Sequence, residues 1–260
     1  MRTVNELLTA AIKDIEEHGF DSAERIEGWI TKIRAAIEMG QEPDAKLVER
    51  LKASYTPKVG SFLRNLNSNT DVPVYRKEQI KQSLYGELDR RILSASSLIK
   101  LRKEQAVNET LRRFVGWSTS IPIGGVDVTD KVELKQDIKK SLSQMNFIER
   151  RCSIDQAAKL VSNINNIVAT DSGAVYAVWS SRWKRPGYDY RPDHKERDKQ
   201  IYLIRDSWAD KAGLVKGTYT DEITMPAEEV FCQCSYNYYY KLNRLPDENL
   251  TRKGMEYLKR

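Results

Sequence analysis

Three side chains, His194, Cys232 and Cys234, have the types and spacing to hold a metal ion. In an extended strand, residues two apart project to the same side, so both sulfurs of Cys232-Gln233-Cys234 would face one ion. Zinc accepts mixed Cys/His sets, and a histidine from the preceding loop supplies a third ligand. Cys152 and Asp193 are candidates for the fourth. The same residues also read as two small buried hydrophobes beside a loop histidine paired with a carboxylate. The chain has 3 cysteines, an odd number that does not fit a secreted disulfide framework.

A second chemistry is written in Arg191-Pro-Asp-His-Lys-Glu-Arg-Asp198. His194 as a base, with Asp193, Glu196 and Asp198 as magnesium ligands, would make a metal-dependent nuclease. Against it, the other histidine, His18, lies far away in the sequence, and carboxylates among lysines and arginines usually pair on the surface. Walker loops, dinucleotide-binding glycine fingerprints and nucleophile elbows are all missing. The expectation is a protein that is not an enzyme, with zinc at the Cys/His trio as its one conceivable cofactor.

Charge points to partners. The 260 residues carry a net charge of +6, with 40% hydrophobic and 31% charged residues. The positive excess is local: residues 76–116 hold ten basic and five acidic side chains, and 182–216 hold ten and six. Local excess makes a patch. Arg90, Arg91, Lys100, Arg102, Lys103, Arg112 and Arg113 punctuate a helical region. Arg182, Lys184 and Arg185 interleave with Trp179, Trp183, Tyr188 and Tyr190. Cations hold phosphates and aromatic rings stack on bases or on a partner, so these are candidate contacts for a protein partner or for nonspecific double-stranded DNA.

The elements that must position these residues follow from periodicity. Val4, Leu7, Leu8, Ala11, Ile12 and Ile15 share one helical face over 3–17, with Thr3 and Glu6 at capping-box spacing. A second helix runs from about 24 to 39 and a third over 44–54, with Pro57 just beyond it. Residues 67–73 form a polar loop. Ile80, Leu84, Leu88 and Ile92 recur every fourth residue, a narrow seam suited to one partner helix. Further helices are predicted over 97–115, 130–145 and 247–258, and from a Ser153–Gln156 cap to 169. Residues 174–183, 200–204 and 229–240 are rich in aromatic and β-branched side chains and predict a small antiparallel sheet. Tyr236, Tyr238 and Tyr240 would share one of its faces.

The chain is therefore α+β. Its division falls at the connector Ser120-Ile-Pro-Ile-Gly-Gly-Val126, with a helical docking region over 1–119 and an α+β module over 120–260. The N-terminus lacks the apolar segment of a signal peptide, and no run of 18 apolar residues is present to span a membrane. The cytosol of the producing cell is the expected place of synthesis.

The second half resembles the C-terminal module of phage head-morphogenesis proteins, the minor head proteins of the phage Mu F type. The resemblance covers roughly residues 150–245. It rests on Trp179 or Trp183, then Arg191-Pro192-Asp193-His194, then Pro226, Glu228, Cys232 and Cys234. Gln233 stands between the cysteines where the family carries an arginine. The resemblance implies a structural component of a tailed-phage virion, bound to portal or major capsid protein within a larger assembly and touching packaged DNA. It also implies that Arg191 and His194 organise the module beside the Cys-x-Cys segment, with Trp183 packed against it.

Overall fold

The computed structural model describes residues 3–68 and 74–259. Helices dominate the N-terminal half, and a three-stranded antiparallel sheet lies in the C-terminal part, so the chain is α+β. In chain order the helices are α1 (Val4–His18), α2 (Ala23–Met39), α3 (Asp44–Ser68), α4 (Val74–Ser118), α5 (Lys131–Ile138), α6 (Lys140–Ser143) and α7 (Met145–Asp171). There follow β1 (Tyr176–Ser180), α8 (Pro192–Glu196), β2 (Ile201–Leu203), α9 (Trp208–Lys211), β3 (Ser235–Tyr239) and α10 (Arg252–Leu258). Among the described residues, no helix is long and apolar enough to cross a membrane.

The chain forms two compact units, each discontinuous in sequence. One contains Met1–Arg50 and Ala95–Cys152, the other Leu51–Ser94 and Ser153–Arg260. These units follow spatial packing, whereas the division at 119/120 follows sequence character. The 120–130 connector belongs to the first unit and is tied to the end of α1. Gly124 and Val126 donate backbone N–H groups to His18 and Glu16 carbonyls at 3.2 and 3.1 Å. A Cβ on Gly125 would sit 1.8 Å from the Glu16 oxygen, so only glycine permits this approach.

In the first unit α1 and α2 form as their sequence predicts, whereas the helix expected over 130–145 is divided into α5 and α6. The Thr3 capping box opens α1, and Leu8, Ala11, Ile12 and Ile15 are buried on its inner face. They join Ile26, Ile33 and Ile37 of α2 and Val107, Leu111 and Phe114 of α4 in one apolar cluster. Asp14 accepts hydrogen bonds from Trp29 Nε1 at 2.7 Å and Arg25 Nη1 at 2.9 Å, fixing α2 against α1.

Several helical boundaries differ from the sequence reading. The third helix does not end near residue 54 but runs through Pro57 to Ser68. Leu47, Leu51, Tyr55 and Val59, spaced by four, are all buried. Burying such residues is worth about 1.5–3 kcal/mol each, which together exceeds the roughly 3 kcal/mol cost of one interior proline. Of the predicted 67–73 loop, 67 and 68 belong to α3 and 69–73 lie outside the described residues. The seam helix and the 97–115 helix are one continuous α4. Ser153 does not cap a helix: it lies inside α7, where its carbonyl accepts the Tyr55 hydroxyl at 2.8 Å. The predicted 247–258 helix is a short 3-10 turn, Asp247–Asn249, followed by α10.

The seam itself is a correction of another kind. Ile80, Leu84, Leu88 and Ile92 are buried within this chain and need no outside helix. Arg91 Nη1 donates to Gln156 and Asn163 Nδ2 to Glu87, at 3.2 and 2.9 Å, tying this part of α4 to α7.

The strand order β2-β1-β3 puts β1 in the middle. Tyr176 and Val178 face one apolar cluster, with Leu203, Leu214, Leu242 and Leu250. Ala177 and Trp179 face the other, with Tyr202, Cys232, Cys234 and Tyr236. A strand buried on both faces reads as an unbroken apolar run, which is why residues 174–183 lack a clean period of two. In register, Tyr176 lies opposite Tyr239 and Trp179 opposite Tyr236. The Tyr176 and Tyr239 rings stack at 4.9 Å.

Candidate metal centre

Helix α8 carries the histidine. Pro192 occupies its first turn, where a missing N–H costs nothing. The turn directs His194 inward, 1% exposed, while Asp193 stays half exposed. His194 Nδ1 lies 3.5 Å from Cys232 Sγ and 3.6 Å from Cys234 Sγ. The Trp179 ring covers the imidazole edge-on at 5.3 Å. Trp179, not Trp183, is thus the tryptophan of the site.

The other imidazole nitrogen faces acid. His194 Nε2 is 3.4 Å from Glu229 Oε2 and 3.8 Å from Asp193 Oδ2, and is buried without a well-aligned hydrogen bond. Glu229 is held by Arg191, whose Nε lies 2.6 Å from the same carboxylate oxygen. Arg191 Nη2 also donates to the Val230 carbonyl at 3.0 Å. Arg197 holds the other end of this loop, donating to Thr224 O at 3.2 Å. The two arginines flanking α8 therefore clamp residues 224–230 beside it.

The cysteines do not lie on a strand, as the alternation argument assumed. They precede β3 in an irregular segment with Ala227 and Phe231 at positive φ. Their convergence comes from this loop. Cys232 Sγ accepts the Ala227 N–H at 3.3 Å, and Cys232 N donates to Glu229 O at 3.2 Å. Glu228 caps the turn by accepting from Met225 N at 2.8 Å. Two groups on α7 anchor the loop: Asp155 accepts from Phe231 N, and the Ser162 hydroxyl donates to Pro226 O, both at 2.7 Å. Asp155, Ser181 and Glu229 were missed by the sequence reading. Only the Asp155–Lys159 spacing and the place of Glu229 beside Glu228 hinted at two of them.

Among the described residues, His194, Cys232 and Cys234 are the one set of three or more His, Cys, Asp or Glu side chains whose ligand atoms gather, all within 4.8 Å of one another. Neither Cys152 nor Asp193 joins it. A hydrogen bond from the Cys232 thiol favours the Cys234 thiolate and holds Cys234 well below the usual thiol range. The same bond, together with burial, pushes Cys232 up. Such a set can bind a borderline or soft cation.

The nuclease constellation does not assemble. Asp198 is used structurally, accepting from Ser181 N at 2.8 Å and Trp183 Nε1 at 3.3 Å. Asp193 pairs with Arg197 at 3.1 Å. His194 turns its Nδ1 to sulfur.

Most of the candidate cations on α4 pair with carboxylates of the chain itself. Arg90 and Arg91 both bind Glu87, at 2.7 Å each. Arg112 and Arg113 both bind Glu109, and Arg113 also binds Asp137. Lys100 pairs with Asp44 and Lys103 with Glu149, while Arg102 donates to Gln105. Arg182, Lys184 and Arg185 differ: all three are exposed, and among the described residues no ion pair engages them. Arg185 donates to Gln233 at 2.6 Å, and Lys184 and Lys195 lie over the Trp183 ring at 5.0 and 4.7 Å. Trp183 and Tyr190 are edge-to-face at 6.3 Å, so this turn presents cations around aromatic rings.

Comparison with protein-family models, with curated proteins and with solved structures gave no match to this chain.

Proposed function

We propose that this chain is a structural minor head protein of a tailed phage, acting in head morphogenesis at the portal vertex or capsid. One observation carries the reading. The residues of the head-protein pattern, dispersed from 179 to 234, gather at one place, and each has a part there. Trp179 covers His194, Arg191 clamps the loop, Glu228 caps its turn and Cys232 and Cys234 meet His194. Residues that cooperate in one unit support a shared architecture more strongly than a string of matching letters does. In this reading, portal or major capsid protein is the partner. Packaged DNA is contacted nonspecifically through Arg182, Lys184 and Arg185, three exposed cations that among the described residues have no acidic partner.

Mass spectrometry of purified particles from a phage carrying this gene tests the proposal. The chain is expected in the head fraction, including tail-less heads, at few copies relative to the major capsid protein. Its complete absence from heads would count against the reading. A plasmid-nicking assay with magnesium or manganese addresses the nuclease alternative, which requires cleavage that disappears in His194→Ala.

A further inference from the structure

We propose that His194 Nδ1, Cys232 Sγ and Cys234 Sγ bind one zinc ion that pins helix α8 to the chain leading into β3. This inference rests on the local geometry and not on the head-protein reading.

The distances fit a shared ion. Zinc binds thiolate sulfur at about 2.3 Å and imidazole nitrogen at about 2.05 Å, in a tetrahedral arrangement. Those lengths and a tetrahedral angle place nitrogen and sulfur about 3.6 Å apart. The two observed separations are 3.5 and 3.6 Å. A single ring nitrogen has one lone pair or one proton, so it cannot form two good hydrogen bonds to two sulfurs. One cation between them satisfies all three atoms.

The surroundings favour the bound form. The Glu229 carboxylate, 3.4 Å from His194 Nε2, favours a proton on that nitrogen through its charge, which leaves the Nδ1 lone pair for the metal. The Ala227 N–H donates to Cys232 Sγ at 3.3 Å, and Cys234 Sγ lies 3.8 Å from the Ser181 hydroxyl oxygen. All three ligands are buried, so two bare thiolates would be costly there, and a dication cancels their charge. Magnesium and calcium prefer oxygen and are disfavoured by this set. Water would supply a fourth ligand, and a cleft of about 920 Å³ lined by Ser181, Trp183, Phe231 and Cys232 adjoins one of the sulfurs.

The test is metal analysis of the untagged full chain, purified under reducing conditions, followed by cobalt(II) replacement. About one zinc per chain is expected, with an intense thiolate-to-cobalt charge-transfer band after exchange. Cys232→Ser, Cys234→Ser and His194→Ala should each lose most of the metal, while Cys152→Ser keeps it. Glu229→Gln should weaken binding about 10–100-fold in a chelator competition, as loss of an outer-shell partner does. Should the ligand variants fail to fold, the cobalt spectrum of the unaltered chain decides. Zinc below about 0.1 per chain with no such band, whether the thiols are free or joined as a disulfide, overturns the proposal.

Discussion

Arg191 and Glu229 form an ion pair, Nε to Oε2 at 2.6 Å, that joins the start of α8 to the loop carrying Cys232. The pair is about one-third exposed on each side. Its worth is therefore structural: it sets where His194 sits relative to the sulfurs. Arg191→Ala removes both this contact and the bond to Val230 O, and should destabilise the chain by about 1 kcal/mol. Urea unfolding of the two chains measures it. Arg191→Lys should restore only part of the loss, because an ammonium cannot serve Glu229 and the carbonyl with the same fork.

The buried seam of α4 gives a second prediction. Leu84 is 0% exposed and Leu93 is 69% exposed on the same helix. Leu84→Ala should cost about 2–5 kcal/mol in the isolated chain, and Leu93→Ala less than about 0.5 kcal/mol. Equal, small effects would mean that the seam is buried only against a partner.

Glu87 supplies a third. Burial opposes its ionisation, yet hydrogen bonds from Arg90 and Arg91 prevail and hold the carboxyl below its ordinary value of 4.5. A depressed carboxyl contributes stability above its unfolded value and loses it as pH falls through the folded one. Stability should therefore decline below about pH 4.5. Glu87→Gln should cost about 2 kcal/mol at neutral pH, since charged hydrogen bonds are lost, and should flatten that acid limb. Urea midpoints measured between pH 3 and 7, roughly the span over which carboxylates titrate, check both parts.

The second half was more legible than the first, for physical reasons. The sheet follows from aromatic and β-branched runs, and the site trio follows from rare residue types. Pro57 misled because a proline reads as a terminator, while the burial of Tyr55 and Val59 on either side of it is a tertiary effect. Ser153 and Gln156 have capping-box spacing, but no sequence signal shows that α7 already began at Met145. The cysteines were placed in a strand because Val230, Phe231 and the tyrosines share its composition. Positive φ at Ala227 and Phe231 breaks that strand, and neither residue type announces it. The seam at Ile80–Ile92 was visible as a stripe, but a stripe does not name what covers it.

The proposed DNA binding gives a fourth prediction. Replacing Arg182, Lys184 and Arg185 together by alanine should weaken binding to double-stranded DNA uniformly across sequences. The slope of log K against log salt should shrink by about 2–3, roughly one for each phosphate no longer neutralised. Arg112→Ala should change little, because Arg112 already serves Glu109. Filter binding or fluorescence anisotropy across a salt series checks both.

The head-protein reading meets its most direct test in a reconstructed map of the assembled particle. The account predicts density for this α+β chain in the head, at the portal vertex or on the capsid. Heads that contain no such density, together with an isolated chain that turns over a nucleic-acid substrate, would contradict it.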